Sequence, residues 1–300
     1  MSITSDEIST QPADWRRAVS LAEGAAELLP AAGERVAVVG CGTSLFMAQA
    51  YAALREGAGL GETDAFAASE LPEARCYDVL VAITRSGTTS EVTRVLQRSA
   101  AARTVALTAV VDTPVGAAAG AVIDLGFADE RSVVQTRFAT TALALLRAQV
   151  EPEAVLAAAD DAQRALELPL PLDPGAVEQW SFLGLGWTVG LAHEAALKLR
   201  EAAQAWAESY NAFEYRHGPI SVAAPGRVVW SMSALDAAIV EQIGSTGANL
   251  VVPELDPMAS LVLAQRAMLG IAEARGLNPD TPRNLTRSVV LSEEELEVLT

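Results

Sequence analysis

Short apolar segments that stop at a glycine or a hydroxyl-rich turn, then give way to a helix, constrain this chain more than any other feature. Glu34-Arg35-Val36-Ala37-Val38-Val39 runs into Gly40, and a helix is predicted from Leu45 to Glu56, with small apolar residues in steps of three and four. Asp78-Val79-Leu80-Val81-Ala82-Ile83 ends in a polar loop ahead of a helix that starts near Thr88. Val105 to Val111 and Ala121 to Leu125 continue the alternation. Strands that are apolar throughout, without alternating polarity, suit a parallel sheet covered on both faces. The predicted class is α/β.

Pro169-Leu170-Pro171-Leu172-Asp173-Pro174-Gly175 reads as a linker, because it joins proline density to a turn glycine. Beyond it the pattern restarts. Ser181 to Gly186 followed by a helix ending Leu197-Lys198-Leu199-Arg200-Glu201 mirrors Val38 to Gly42 followed by a helix ending Ala53-Leu54-Arg55-Glu56. The distance from glycine to arginine is 15 residues from Gly40 to Arg55 and 16 from Gly184 to Arg200. Strands at Arg227 to Trp230 and Asn249 to Val252, with helices near 234–247 and 260–275, complete the second copy. The reading is a duplicated α/β unit, with domains at 1–168 and 169–300.

Composition narrows the function classes. The chain has 300 residues, 51% of them hydrophobic, enough for one large or two medium cores. No uncharged apolar run approaches the ~20 residues of a membrane span. The opening Met1-Ser2-Ile3-Thr4-Ser5-Asp6-Glu7 is polar and acidic, unlike a signal or transit peptide. Cys41 and Cys76 give neither a disulfide framework nor metal-ligand spacing, so a reduced, cytoplasmic setting without a bound metal is expected. A net charge of −17 argues against nucleic acid and anionic membrane as partners.

Two features suggest chemistry. Of 21 basic residues only Lys198 is lysine, and arginine cannot replace an ammonium that must be compact or titratable. Glu194, Lys198, Glu201, Ala205 and Glu208 follow steps of four and three, which predicts one helix face. The plainer reading of Lys198 and Glu201 is a surface ion pair at i,i+3, worth a few tenths of a kcal/mol. Gly40-Cys41-Gly42-Thr43-Ser44 and Thr84-Arg85-Ser86-Gly87-Thr88-Thr89 both lie where a strand meets a helix. Backbone N–H groups and the helix dipole favour an anion there. Helix capping alone also accounts for Ser and Thr at such a place. Gly40-x-Gly42 lacks the third glycine of a dinucleotide fingerprint.

These turns carry a resemblance, together with Glu130 to Phe138, Ala196 to Glu201, Glu208-Ser209-Tyr210, Glu214 to Pro219 and Pro282-Arg283-Asn284-Leu285. From about residue 35 to 290 the chain resembles the sugar isomerase (SIS) domain proteins. Within that family it resembles the isomerase half of glucosamine–fructose-6-phosphate aminotransferase and the stand-alone aminosugar-phosphate deaminases. The resemblance implies two tandem SIS domains, each a three-layer αβα sandwich with a mainly parallel sheet. It implies a sugar-phosphate ligand, no cofactor, and a homodimer with shared active sites. It assigns Thr43, Ser44, Thr84, Arg85, Ser86 and Thr89 to the sugar phosphate, with Arg85 standing where the aminotransferases have glutamine. Glu201 matches the base that moves a proton between C1 and C2, Lys198 the lysine assisting it, and His217 the ring-opening histidine supplied by the neighbouring subunit. His193 matches no motif and is read as a packing or surface residue.

Two departures qualify what is expected. The aminotransferases begin with a glutamine-hydrolysing domain and its cysteine nucleophile, whereas this sequence begins Met1-Ser2-Ile3, so glutamine-dependent synthesis is expected to be absent. Arg287 stands where the family has a Schiff-base lysine; guanidinium cannot form an imine, but it can bind the open-chain oxygens as a fixed cation. The expected activity is aldose–ketose isomerisation with deamination of glucosamine 6-phosphate or a near relative. A fructosamine-6-phosphate deglycase and a sugar-phosphate sensor without turnover are the alternatives.

Overall fold

The computed structural model describes residues 2–297. In chain order the elements are α1 (Ile3–Gly24), β1 (Val36–Gly40), α2 (Thr43–Gly57), β2 (Thr63–Ala67), β3 (Val79–Thr84), α3 (Ser90–Arg98), β4 (Arg103–Thr108), α4 (Pro114–Ala118), β5 (Ala121–Asp124), α5 (Arg137–Ala148) and α6 (Pro152–Glu167). These are followed by β6 (Gln179–Gly184), α7 (Thr188–Ala203), β7 (Trp206–Asn211), β8 (Arg227–Ser231), α8 (Ala237–Ser245), β9 (Asn249–Val251), α9 (Pro257–Ala274) and α10 (Glu293–Glu297). The chain forms two compact units that draw on separate stretches. One comprises Ala13–Glu130, Arg137–Leu156 and Thr286–Thr300, and the other Met1–Pro12, Arg131–Thr136 and Ala157–Leu285.

The first unit holds a five-stranded, all-parallel sheet in the order β2-β1-β3-β4-β5. Every residue of β1 and β3 is buried, as expected of central strands covered on both faces. Ala37, Val39, Leu80, Ala82 and Ala106 form one face with Val92 and Leu96 of α3 and Val115 of α4. The alternate residues Val36, Val38, Val79 and Val81 are equally buried, and α2 packs on β1 and on α5.

The second unit holds a four-stranded parallel sheet in the order β7-β6-β8-β9. Leu183 and Val229 pack against Ile239 and Ile243 of α8 and against Tyr215. Trp180, Phe182 and Trp230 form an aromatic group with ring centroids 6.1–6.4 Å apart. The Trp230 indole N–H donates to Ser260 Oγ of α9 at 3.1 Å, and α9 packs along α7. The proline-rich stretch at 169–175 lies within this unit, where the Asp173 carboxylate accepts the Gly175 N–H at 3.0 Å to open a single 3-10 turn.

The mirrored glycine-to-arginine segments do the same work in each unit. A Cβ on Gly40 would lie 2.6 Å from the Ser44 carbonyl carbon, and one on Gly184 would lie 2.4 Å from the Thr188 oxygen. Only glycine lets the strand close on the helix that follows. Gly42 and Gly186 both have φ of 54°. At the far end of the helix, buried Arg55 donates to Thr63 Oγ1 of β2 at 2.8 Å, and Arg200 donates to the Ala207 carbonyl of β7 at 2.8 Å. Each arginine ties its helix to the edge strand that follows.

Sequence reading missed both of those edge strands. Their residues are mostly half-buried and mix polar with apolar side chains, so they lack the fully apolar runs of β1 and β3.

Candidate active site

In the five-stranded unit β1 and β3 are neighbours, so their turns share the carboxyl edge of one sheet. This is the edge where open parallel sheets hold ligands. Thr43 and Ser44 are buried at the head of α2. The β3 turn is tighter. Gly87 has φ of 67°, and a Cβ there would sit 2.2 Å from Thr113 Oγ1. Thr84, Arg85 and Ser86 are buried, while Thr88 and Thr89 are half-buried. Ser86 Oγ and Thr88 Oγ1 donate to Ser288 Oγ at 3.1 and 3.0 Å, and Thr89 Oγ1 lies 3.5 Å from the same oxygen. Sequence reading named neither Thr88 nor Ser288 as a site residue. Thr88 stood inside the motif already singled out; Ser288 lies some 200 residues away, and no spacing rule connects the two.

Arg85 is placed differently from the phosphate-facing charge expected of it. Its side chain is 1% exposed and lies 3.8 Å from Glu130, which is 0% exposed. Its Nη2 donates to the Arg287 carbonyl at 3.1 Å. Glu130 also accepts the backbone N–H groups of Arg137 at 2.9 Å and Phe138 at 3.3 Å, so the carboxylate sits against the positive end of α5. Arg287, expected to grip open-chain sugar oxygens, instead pairs with the Asp129 carboxylate and donates to the Glu130 carbonyl. Both arginines that depart from the family pattern serve one cluster.

In the four-stranded unit α7 carries the lone lysine. Lys198 is 1% exposed, pairs with Glu201 three residues on, and lies 3.6 Å from Glu194, itself 1% exposed. This is no surface ion pair. The ammonium sits as a compact point charge between two carboxylates, a place that the planar fork of a guanidinium would fill differently. The Glu201 side chain is 19% exposed and opens onto a cavity of about 380 Å³ lined by Arg200, Gln204, Arg283 and Asn284.

The predicted helix face is cut short. Gln204, with φ of 49°, caps α7 in the left-handed conformation, so Ala205 and Glu208 leave the helix. Glu208 lies on β7 and accepts from Trp206 Nε1 at 3.1 Å, Tyr210 Oη at 3.0 Å and Gln179 Nε2 at 3.3 Å.

His217 ends a 3-10 turn, Glu214–His217, and is exposed. It lines a separate cavity of about 770 Å³ with Phe213, Arg216 and Ser245, not the one that Glu201 opens onto. His193 is half-buried, with Nδ1 2.9 Å from Ser209 Oγ. Burial, then the Arg200 charge, lowers its pKa. The Cys41 thiol in the β1 turn is pushed up to about 11 by burial and by the Glu91 charge, against a hydrogen bond from the Ala68 backbone. It is therefore held in the protonated thiol form at neutral pH.

Parallel sheets with glycine- and hydroxyl-rich turns at their carboxyl edges define a class of α/β proteins that hold ligands at that edge. No family model matches the chain. Its homologues are nonetheless the isomerase (SIS) portion of glutamine–fructose-6-phosphate aminotransferase, which bears out the resemblance read from the motifs. The enzyme of that name from Sulfolobus acidocaldarius is 26% identical over 301 residues, covering 86% of this chain and 50% of the relative. That from Gloeobacter violaceus is 27% identical over 319 residues, covering 86% and 52%. The chain thus spans about half the length of the curated relatives it matches.

Among solved structures, a glucosamine-6-phosphate deaminase from Thermotoga maritima has a TM-score of 0.81 at 24% identity, covering 97% of this chain and 100% of the other. A tagatose-6-phosphate ketose/aldose isomerase from Escherichia coli has a TM-score of 0.76 at 18% identity, covering 97% of each chain. At such identities the likeness establishes the fold: α/β, with parallel sheets in a sandwich-like arrangement.

Proposed function

We propose that this protein is a phosphosugar aldose–ketose isomerase of the deaminating kind, acting on glucosamine 6-phosphate or a similar aminohexose phosphate. Its two units are tandem SIS domains, the first carried mainly by 1–168 and the second by 169–300. The observation that carries the reading is the Glu194–Lys198–Glu201 cluster, in which a partly exposed carboxylate is oriented by a buried ammonium and faces a cavity.

In this reading the β1 and β3 turns hold the phosphate. His217 opens the sugar ring, and Glu201 takes the C2 proton and returns it at C1. Lys198 stabilises the charge that develops on O1 in the enolate-like intermediate. The C2 imine left by the proton transfer is hydrolysed by water to the ketose phosphate and ammonia. In this reading the histidine serves the site of a second subunit in a homodimer, which the separate cavities lined by His217 and Glu201 in one chain support.

Assay of ammonia and ketose phosphate from glucosamine 6-phosphate tests this directly. Release of an amino acid from a fructosamine phosphate, without ammonia from glucosamine 6-phosphate, would move the protein to the deglycases. One observation favours a second reading, a sugar-phosphate sensor: where the family has a Schiff-base lysine, Arg287 is engaged with Asp129 and Glu130. Saturable binding without turnover of any hexose or aminohexose phosphate would select it.

A further inference from the structure

We propose that Ser288 is a further phosphate-binding residue, whose hydroxyl accepts from Ser86 and Thr88 and donates its own proton to the sugar's phosphate monoester. The proposal rests on the reading of Thr84–Thr89 as the phosphate turn. Ser288 Oγ is the point on which the turn's hydroxyls converge, with Ser86 at 3.1 Å, Thr88 at 3.0 Å and Thr89 at 3.5 Å. It accepts from Ser86 and Thr88, and a hydroxyl that accepts in this way keeps one proton to donate.

The backbone fixes that position on both sides. The Arg287 carbonyl accepts from Arg85 at 3.1 Å, the Val289 carbonyl accepts from the Ser90 N–H at 3.3 Å, and the Leu291 N–H donates to Ser90 Oγ at 2.9 Å. Burial of apolar groups does not explain the placement. Val289 and Val290 are 53% and 70% exposed, while the serine between Arg287 and Val289 is the residue turned to the cluster. The segment presents its polar group inward and its apolar groups outward, the reverse of what packing alone selects.

Charge gives the hydroxyl its importance. The one cation in the turn, Arg85, is matched by buried Glu130, and the whole chain carries −17. A phosphate here depends on neutral donors and backbone N–H groups, and a hydrogen bond to an ionised group is about twice as strong as a neutral one.

The test is calorimetric titration of the full chain with glucosamine 6-phosphate, unphosphorylated glucosamine and inorganic phosphate. Ser288→Ala is expected to weaken glucosamine 6-phosphate and inorganic phosphate about tenfold, with glucosamine binding unchanged. Ser288→Thr, which keeps the hydroxyl, is expected to retain most of the affinity. Ser288→Cys, which keeps the volume but is a weak donor, should fall between. Unchanged or tighter binding of phosphate by Ser288→Ala overturns the proposal, as does an equal loss for phosphorylated and unphosphorylated sugar. Ser86→Ala with Thr89→Val separates the two levels. If that double variant binds phosphate weakly while Ser288→Ala binds normally, the turn stands and Ser288 is excluded. If the double variant also binds normally, the phosphate reading itself fails.

Discussion

Replacing Glu130 with glutamine removes one charge and almost no volume, and its consequences follow from two contacts. Glu130 is fully buried, 3.8 Å from an Arg85 side chain that is 1% exposed, and it accepts two N–H groups at the start of α5. Glutamine keeps an oxygen for one of those N–H groups but takes the Glu130 charge away from the buried guanidinium. Breaking a buried pair in this way costs about 3–5 kcal/mol, and losing a carboxylate at a helix N-terminus adds about 0.3–1 kcal/mol. Against a typical total of about 5–15 kcal/mol, Glu130→Gln should move the unfolding midpoint far to lower urea.

Arg85→Met paired with Glu130→Gln removes both charges and should recover about 2 kcal/mol or more of that loss, because the buried guanidinium goes with its carboxylate. Urea unfolding followed by circular dichroism gives all three free energies. A loss below about 1 kcal/mol in Glu130→Gln, or a double variant no more stable than the single, would refute the view that this ion pair holds the turn in place.

Asp280 accepts from the Ile3 N–H at 3.0 Å and from Thr4 N and Oγ1 at 2.8 and 2.7 Å, closing the start of α1. Burial raises its pKa, but these bonds and the Arg131 charge outweigh that and leave it lowered. Its stabilisation is therefore complete above the ordinary aspartate value of about 4 and lost as pH falls through the lower folded value. Asp280→Asn should flatten the acid limb of a stability-versus-pH curve, and an unchanged limb would contradict this.

Gly87→Ala should lower stability by more than the roughly 1–2 kcal/mol of a left-handed φ alone, because its Cβ would meet Thr113 Oγ1 at 2.2 Å. Thermal unfolding checks it. Mixing inactive Glu201→Gln and His217→Ala subunits should restore part of the activity. No recovery despite proven subunit exchange would place both residues in one chain's own site.

What the sequence made legible follows burial. β1, β3 and β8 are short and largely buried, so their apolar runs stood out, and the glycines that close each strand on its helix marked the turns. The edge strands did not stand out, because Trp206-Ala207-Glu208-Ser209-Tyr210-Asn211 is mostly half-buried and mixes aromatic with polar residues, as loops also do. The α7 face was right through Glu194, Lys198 and Glu201 and failed beyond, since nothing in Gln204 announces a left-handed cap that glycine usually supplies. The lone lysine was visible by count, while its burial between two carboxylates was not. Arg85 and Arg287 drew notice as departures from the family pattern. That both converge on the Asp129-Glu130 pair depends on backbone that the fold brings together from distant stretches.

The proton-transfer role of Glu201 is the central claim, and exchange of the C2 hydrogen tests it most directly. Wild-type protein incubated with glucosamine 6-phosphate in deuterium oxide should lose the C2 proton signal in the NMR spectrum. Glu201→Gln is nearly isosteric and cannot accept the proton, so it should bind the sugar phosphate and show no exchange. Exchange at the wild-type rate in that variant would contradict the account.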